Sequence, residues 1–301
     1  MIPICLVTGF LGSGKTTFLK HVVEQHGDRK IVYLVNEFSP QDVDGVLLRE
    51  VEQDVVAIPG GSIFCRCLVT QFTGNLRTIP ERFGAPDDPL EGVVIEASGV
   101  ANPTVIEQML AETGLDDTYS LSTIVSIIDP GSLPKLVHTL PNISAQIKAA
   151  DVVLLNKIDL FGSDEVDEAE TIARKINPDA PVMHTVRCAA EIDLFAGAGT
   201  RGLVGDYALC ADPNYARSSV DFHEPVDVYE LVRALRRHKD DIYRVKGVVP
   251  TADGYAYIDM SAAELTVEPV STRTDATGLA MIARGDSSEA LQDIVRELSK
   301  H

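Results

Sequence analysis

The stretch Gly9-Phe10-Leu11-Gly12-Ser13-Gly14-Lys15-Thr16 limits what this chain can fold into more than any other. It reads G-x-x-x-x-G-K-T. The apolar run Ile2–Val7 precedes it, and Thr17–Glu24 follows, with Phe18, Leu19, Val22 and Val23 at helical spacing. Strand, glycine loop and helix in that order is the context of a phosphate-binding loop. Glycine lets the backbone wrap closely enough for successive N–H groups to face the phosphates. Lys15 adds a point charge for the β- and γ-phosphates, and the Thr16 hydroxyl is placed to ligate Mg²⁺. The expected nucleotide-binding residues are therefore Gly9, Gly12, Ser13, Gly14, Lys15, Thr16 and Thr17.

Short apolar runs rich in β-branched residues follow at 31–35, 55–58, 93–95, 124–128, 152–155 and 182–186. Such runs suit strands covered on both faces, hence a mostly parallel sheet with helices on each side. Helices are expected between them at 103–113, 130–140, 144–149 and 164–177. From about Phe195 to Arg217 the periodicity lapses into Gly, Ala, Asp and Pro, the best linker candidate. Beyond it, strands are expected at 219–222, 242–249, 255–260, 264–270 and 279–283, with helices at 226–238 and 287–299. That order suggests a small ferredoxin-like α+β domain. The expected fold is α/β: a P-loop NTPase domain over residues 1–212, then an α+β domain over 213–301.

A chain of 301 residues with net charge -19 would repel phosphate backbones and anionic membranes, so nucleic acid and membrane partners are disfavoured. No apolar run is long enough to span a bilayer. Five cysteines at uneven spacing make no disulfide framework, and a cytoplasmic, reduced protein is expected.

Asn156-Lys157-Ile158-Asp159 follows the run 152–155 and reads N-K-x-D. The aspartate can accept from two guanine N–H groups that adenine lacks, while the lysine stem packs along the base. A site built on such contacts rejects the wrong base, whose binding would leave the carboxylate unpaired. Together with the loop at 9–16, this points to a guanine nucleotide and away from a small-molecule kinase. Glu96-Ala97-Ser98-Gly99 ends another strand. Glu96 could reach the Mg²⁺ shell or a water, and the Gly99 amide could meet the γ-phosphate without a side chain in the way. Asp129 could face the metal or the attacking water, or simply cap a helix before Pro130. Asn36-Glu37-Phe38 leads into a polar loop with Asp42 and Asp44, where a nucleotide-sensing switch would lie.

In Gly60-Gly61-Ser62-Ile63-Phe64-Cys65-Arg66-Cys67, two thiols one residue apart could give Zn²⁺, Co²⁺ or Ni²⁺ two soft ligands. A packed, reduced loop is the alternative. Cys5 reads as core, Cys188 and Cys210 fit no pattern, and the seven histidines lack ligand spacing.

At these residues the chain resembles the CobW-type GTPases of the CobW–HypB–UreG group. The likeness runs through 9–17, 36–45, the Gly61 loop, Glu96–Gly99 with Asn102-Pro103, Asp129 and Asn156–Asp159. It continues in Tyr243-Arg244-Val245-Lys246-Gly247, which resembles the family's C-terminal domain. It implies a SIMIBI-class P-loop GTPase whose slow, Mg²⁺-dependent hydrolysis of GTP to GDP serves delivery of a metal or metallocofactor to a client protein. Lys15, Glu37, Glu96 and Asp129 would carry catalysis, and Thr16 and Glu96 would hold Mg²⁺. No arginine finger is placed, which leaves room for a partner or a GTP-dependent homodimer. Many members carry C-x-C-C where this chain has Ser62-Ile63-Phe64-Cys65, and N-E-F-G-E where it has Asn36-Glu37-Phe38-Ser39-Pro40. Two uses fit: a metallochaperone with Cys65 and Cys67 as ligands, or a GTP-gated activase for a metalloenzyme or corrinoid protein that carries no metal itself.

Overall fold

The computed structural model describes residues 1–37, 54–59, 62–197, 201–208, 214–261, 264–270, 277–285 and 288–298. Of Glu37 only the backbone is described, and Asp42, Asp44, Gly60, Gly61 and Cys210 lie outside these residues. Contacts divide the chain into two compact units, with described residues up to 208 in the first and those from 214 in the second.

In the first unit the elements are β1 (Ile2–Gly9), α1 (Lys15–Gln25), β2 (Ile31–Glu37), β3 (Val55–Pro59), α2 (Val69–Phe83), β4 (Gly92–Glu96), α3 (Ile106–Glu112), β5 (Tyr119–Ile128), α4 (Leu133–Leu136), α5 (Pro141–Lys148), β6 (Val152–Leu155), α6 (Ser163–Ile176) and β7 (Val182–His184). The strands form one sheet in the order β3-β2-β4-β1-β5-β6-β7. All its pairings are parallel.

Period-2 alternation divides each central strand between two cores. Ile4 and Leu6 of β1, Val32 and Leu34 of β2, and Val93 and Ile95 of β4 join Phe72, Leu76, Ile106 and Met109 on one face. Cys5 and Val7, Ile31, Tyr33 and Val35, and Val94 join Phe18, Leu19, Val22 and Val23 of α1 on the other. Both faces are dry, so these strands read as continuous apolar runs. Glu96 follows Val94 by two residues and so lies on the α1 face. Since β1 has β4 on one side and β5 on the other, the loop after it opens into the crevice where strand order reverses.

Helix α2 was not expected from the sequence, because Gly74 and Pro80 interrupt it. Its apolar stripe of Phe72, Leu76 and Ile79 is nevertheless buried. Pro80 has no N–H for the Leu76 carbonyl one turn back. The buried Tyr119 supplies the donor instead, its Oη lying 2.7 Å from Leu76 O. The helix expected at 130–140 is reduced to α4, with Pro130 and Gly131 before it. Its neighbour α5 begins at Pro141, where a missing N–H costs nothing.

Residues 201–208 are held to the first unit. Arg201 donates to Asp151 (2.7 Å) and to the Leu121 carbonyl (2.9 Å). Glu107 accepts the backbone N–H groups of Arg201 (2.6 Å) and Leu203 (2.8 Å). This part of the expected linker is therefore docked, through side chains that sequence periodicity does not weigh.

The second unit comprises β8 (Tyr215–Asp221), α7 (Val228–Arg237), β9 (Ile242–Thr251), β10 (Gly254–Ser261), β11 (Leu265–Val270), β12 (Gly278–Arg284) and α8 (Ser288–Leu298). Its sheet, ordered β11-β10-β9-β12-β8, is antiparallel throughout. Asp227 caps α7 by accepting from the N–H groups of Tyr229 and Glu230. Val245, Ile258 and Leu279 of the sheet share a core with Leu231 and Leu235 of α7 and Ile294 of α8.

Replacing Tyr119 with Phe strands the Leu76 carbonyl inside the core. Urea unfolding should show a loss of about 1–2 kcal/mol. An unchanged midpoint would mean that carbonyl finds another donor.

Candidate functional site

The loop from Gly9 to Lys15 turns through three glycines at positive φ: Gly9 (140°), Gly12 (80°) and Gly14 (118°). Space forbids a side chain as firmly as conformation does. A Cβ on Gly14 would lie 2.5 Å from Asn156 Nδ2 and 2.8 Å from Cys188 Sγ.

Those two neighbours aim the loop. Asn156 donates from Nδ2 to the Ser13 carbonyl at 2.8 Å. The Cys188 thiol donates to the Gly14 carbonyl at 3.3 Å, which also accepts the Phe18 N–H. In a trans peptide the C=O and the following N–H point in opposite directions. Holding the carbonyls of Ser13 and Gly14 toward Asn156 and Cys188 therefore turns the N–H groups of Gly14 and Lys15 the other way, into the crevice. Helix α1 starts there with no side-chain cap and no acidic residue in its first turn, so its positive end faces the same space.

Asn156 is itself fixed. Its Oδ1 accepts from Thr185 Oγ1 (3.1 Å) and from the Cys188 N–H (2.8 Å), and its own N–H reaches the Ile128 carbonyl (2.8 Å). The turn that brings Cys188 under the loop uses left-handed conformations at Arg187 and Cys188. Lys157 is also left-handed, at φ 62°. Asp159 follows in a 3₁₀ turn and is exposed, so its carboxylate is accessible to a base. Sequence reasoning gave Cys188 no role. The signal available was its place just after β7, at the carboxyl edge of the sheet. Burial pushes the Cys188 thiol up to about 12, so it keeps the proton it donates.

Lys15 is buried, and its Nζ donates to the Phe10 carbonyl at 3.1 Å across the loop. Thr16 is half-buried beside it and Thr17 is exposed. Glu96 is buried at the end of β4, where it is paired in register with Val7. Gly99 closes against the loop so tightly that a Cβ would lie 2.6 Å from the Leu11 nitrogen. Gln146 of α5 holds this turn by donating to the carbonyls of Gly99 (3.2 Å) and Ala101 (3.0 Å). Asp129 is buried and accepts from the Ser132 N–H at 2.9 Å, which is the capping arrangement. Burial pushes its carboxyl pKa up, against the pull of the Ser132 hydrogen bonds and the Lys157 charge.

The donor set fits a nucleotide phosphate with its magnesium. The buried hydroxyls of Ser13 and Ser98 have no hydrogen-bond partner among the described residues. They stand at the same sheet end as Lys15, Thr16 and Glu96, where buried polar groups gather.

The structure also brings Cys65 and Cys67 together, Sγ to Sγ at 2.6 Å. Cys65 is buried and Cys67 exposed. Among the described residues no group of three or more His, Cys, Asp or Glu could hold a metal ion. The pair alone is half of a usual transition-metal set.

The nucleotide-binding-domain profile of the CobW/HypB/UreG family matches residues 3–184 of the chain. The chain belongs to this family. The profile of the cobalamin synthesis protein CobW C-terminal domain matches residues 216–299. Among curated relatives, the zinc chaperone YjiA of Escherichia coli (strain K12) is 28% identical over 265 residues, which is 82% of this chain and 81% of that protein. The zinc chaperone CobW of Sinorhizobium sp is 23% identical over 311 residues, covering 91% and 86%. The zinc-regulated GTPase metalloprotein activator 1 of Schizosaccharomyces pombe is 29% identical over 194 residues, covering 61% and 46%. The G-x-x-x-x-G-K-T stretch at 9–16 and the N-K-x-D segment at 156–159 both lie within the span that this family's profile matches. No helix among the described residues is long and apolar enough to cross a membrane.

Accessibility of the thiols gives a direct check. At pH 9, where an ordinary thiol is about half ionised or more, iodoacetamide should label Cys67 in native protein. Cys188 and the fully buried Cys5 should label only after unfolding, as read by mass spectrometry of peptides. Rapid native labelling of Cys188 would contradict its place beneath Gly14.

Proposed function

We propose that GTP hydrolysis by this chain, to GDP and phosphate, drives delivery of a transition metal, zinc first among them, to a client metalloprotein. The single observation that carries the nucleotide part is the Asn156 amide on the Ser13 carbonyl, which joins the base-reading segment to the phosphate loop. The metal part rests on the Cys65–Cys67 pair and on the relatives named zinc chaperones.

In this reading the Gly14 and Lys15 amides and the Lys15 ammonium take up negative charge as the γ-phosphoryl group leaves. Gly9, Gly12, Ser13 and Thr17 complete the cradle, and the Gly99 amide meets the γ-phosphate. Thr16 would ligate Mg²⁺ and Glu96 would stand in its shell. The ion supplies charge neutralisation on the phosphate oxygens. Glu37, Glu96 and Asp129 would order water. Asp159 would accept from the guanine edge, with Lys157 alongside the base. Zinc is cargo, held by Cys65 and Cys67 with donors from elsewhere; Co²⁺ and Ni²⁺ suit the same soft pair. A second subunit bound in the GTP state could supply those donors.

A second reading, a GTP-gated activase that carries no metal, is favoured by Ser62 and Phe64. Both are buried, and neither is a thiolate donor in the cysteine loop.

Three measurements test these readings, and the third separates the two. Lys15→Ala should remove tight GTP binding, seen by titration with a fluorescent GTP analogue; retained micromolar affinity would count against the site. Asp159→Ala should cut the preference for GTP over ATP by roughly 100-fold or more, because it removes the polar partner that penalises the wrong base. Zinc titrated into reduced protein with GTP·Mg²⁺ or GDP should bind in a nucleotide-dependent way, and Cys65→Ser/Cys67→Ser should lose that binding. No binding in either state would favour the activase.

A further inference from the structure

The cysteine loop and the phosphate-facing Glu96–Gly99 turn lie far apart in sequence, yet one side chain joins them. Asn36, next to last in β2, is buried at 4% exposure. Its Nδ2 donates to the Ile58 carbonyl near the end of β3 (3.2 Å). Its single Oδ1 accepts two backbone N–H groups, from Ile63 at 2.9 Å and from Ser98 at 3.2 Å.

Each partner belongs to a different business of the chain. Ser98 adjoins Gly99, which packs on Leu11 of the phosphate loop. Ile63 stands two residues before Cys65, and the turn between them is stiff. Cys65 N–H bonds the Ser62 carbonyl (3.0 Å), and Phe64 N–H bonds Ser62 Oγ (3.3 Å). The Phe64 ring is fully buried, edge-on to Phe72 at 6.1 Å. On its far side this turn is bridged to Ala208. Ala208 N–H donates to the Phe64 carbonyl (3.0 Å), and Arg66 N–H donates to the Ala208 carbonyl (3.2 Å).

We propose that Asn36 is the positioning residue through which the nucleotide state of the Glu96–Gly99 turn sets the cysteine loop. The inference rests on nucleotide binding at the site described above, and not on metal delivery. Its physical basis is one oxygen shared by two amides. The Ser98 bond has only a few tenths of an ångström of slack before it ceases to be a hydrogen bond. A turn drawn toward a γ-phosphate must therefore either carry the Asn36 amide with it or break from it. Carrying it shifts the Ile63 N–H and the stiff turn behind it. Breaking removes the Ser98 bond while the Ile63 bond stays. The arrangement has discrete states and does not slide, which is what transmission between sites needs. Because Ala208 is bridged to the same turn, the shift reaches that residue too.

The test is the alkylation rate of Cys67 by iodoacetamide in the reduced full-length protein, with GDP·Mg²⁺ or with a non-hydrolysable GTP analogue and Mg²⁺. In wild type the two rates should differ by about fivefold or more. Asn36→Ala should bring them together while nucleotide affinity, titrated separately, stays within a few-fold of wild type. Asn36→Asp, which keeps the acceptor oxygen, should keep the difference. Hydrogen exchange on wild type needs no variant. The Ile63 and Ser98 amides should change protection together between the two nucleotide states. Equal rates in wild type that binds both nucleotides would overturn the inference and leave the GTPase standing. So would a difference that survives in Asn36→Ala, loss of the difference in Asn36→Asp as fully as in Asn36→Ala, or exchange at Ile63 that ignores Ser98. Loss of nucleotide binding by wild type would instead sink the functional reading itself.

Discussion

A peptide plane has two polar ends, and fixing one fixes the other. At the phosphate loop the fixed ends are the carbonyls of Ser13 and Gly14, held by the Asn156 amide and the Cys188 thiol. Everything the crevice offers an anion follows from that. The outward amides need Gly14 left-handed, and Gly14 needs neighbours that leave no room for a Cβ. Asn156 in turn needs Thr185 and the Cys188 N–H to fix its orientation. The N-K-x-D segment and the G-x-x-x-x-G-K-T loop are thus one assembly, joined through the side chain of Asn156.

The sheet makes this assembly possible by being dry on both faces. A one-residue slip would move every row into the other, differently packed core, so the strands' carboxyl ends are held in place. The polar groups gathered there, Lys15, Glu96, Asn156 and Asp129, are buried at the edge of a structure that does not yield. Several are held by the backbone around them, Lys15 on the Phe10 carbonyl, Asn156 on the Ser13 carbonyl and Asp129 under the Ser132 N–H.

The cysteine loop is attached to this base by Ile63 and Phe64, buried in the core, and by backbone bonds on either side. Asn36 ties its start to the Glu96–Gly99 turn, and Ala208 ties its end to the segment following β7. Between the two ties sit Phe64, buried, and Cys67, exposed. A reactive edge on a well-anchored turn suits a group whose exposure must answer to something elsewhere. Ser62 and Phe64 are both buried, so this turn uses those positions for packing.

The sequence by itself determined the parts that are local and periodic. Strand runs follow from the apolar rows they present to two cores, and G-x-x-x-x-G-K-T declares its loop because only glycine tolerates the turns required. The second unit was legible too, since α7 and α8 carry clear apolar stripes. Helix α2 was not, because Gly74 and Pro80 argue locally against it and its rescue by Tyr119 comes from 43 residues away. Nor could the sequence tell that residues 201–208 are docked, a matter of Arg201 finding Asp151 and Glu107 finding two amides. Cys188 was the deepest omission at the site, and Asn36 was read only as the start of a switch segment. Each acts by a hydrogen bond to a backbone group remote in the chain, and backbone groups leave no mark in a sequence. Only the tertiary structure decides which carbonyl or amide a side chain meets, and here those meetings fix the Ser13 and Gly14 carbonyls and tie Ile63 to Ser98.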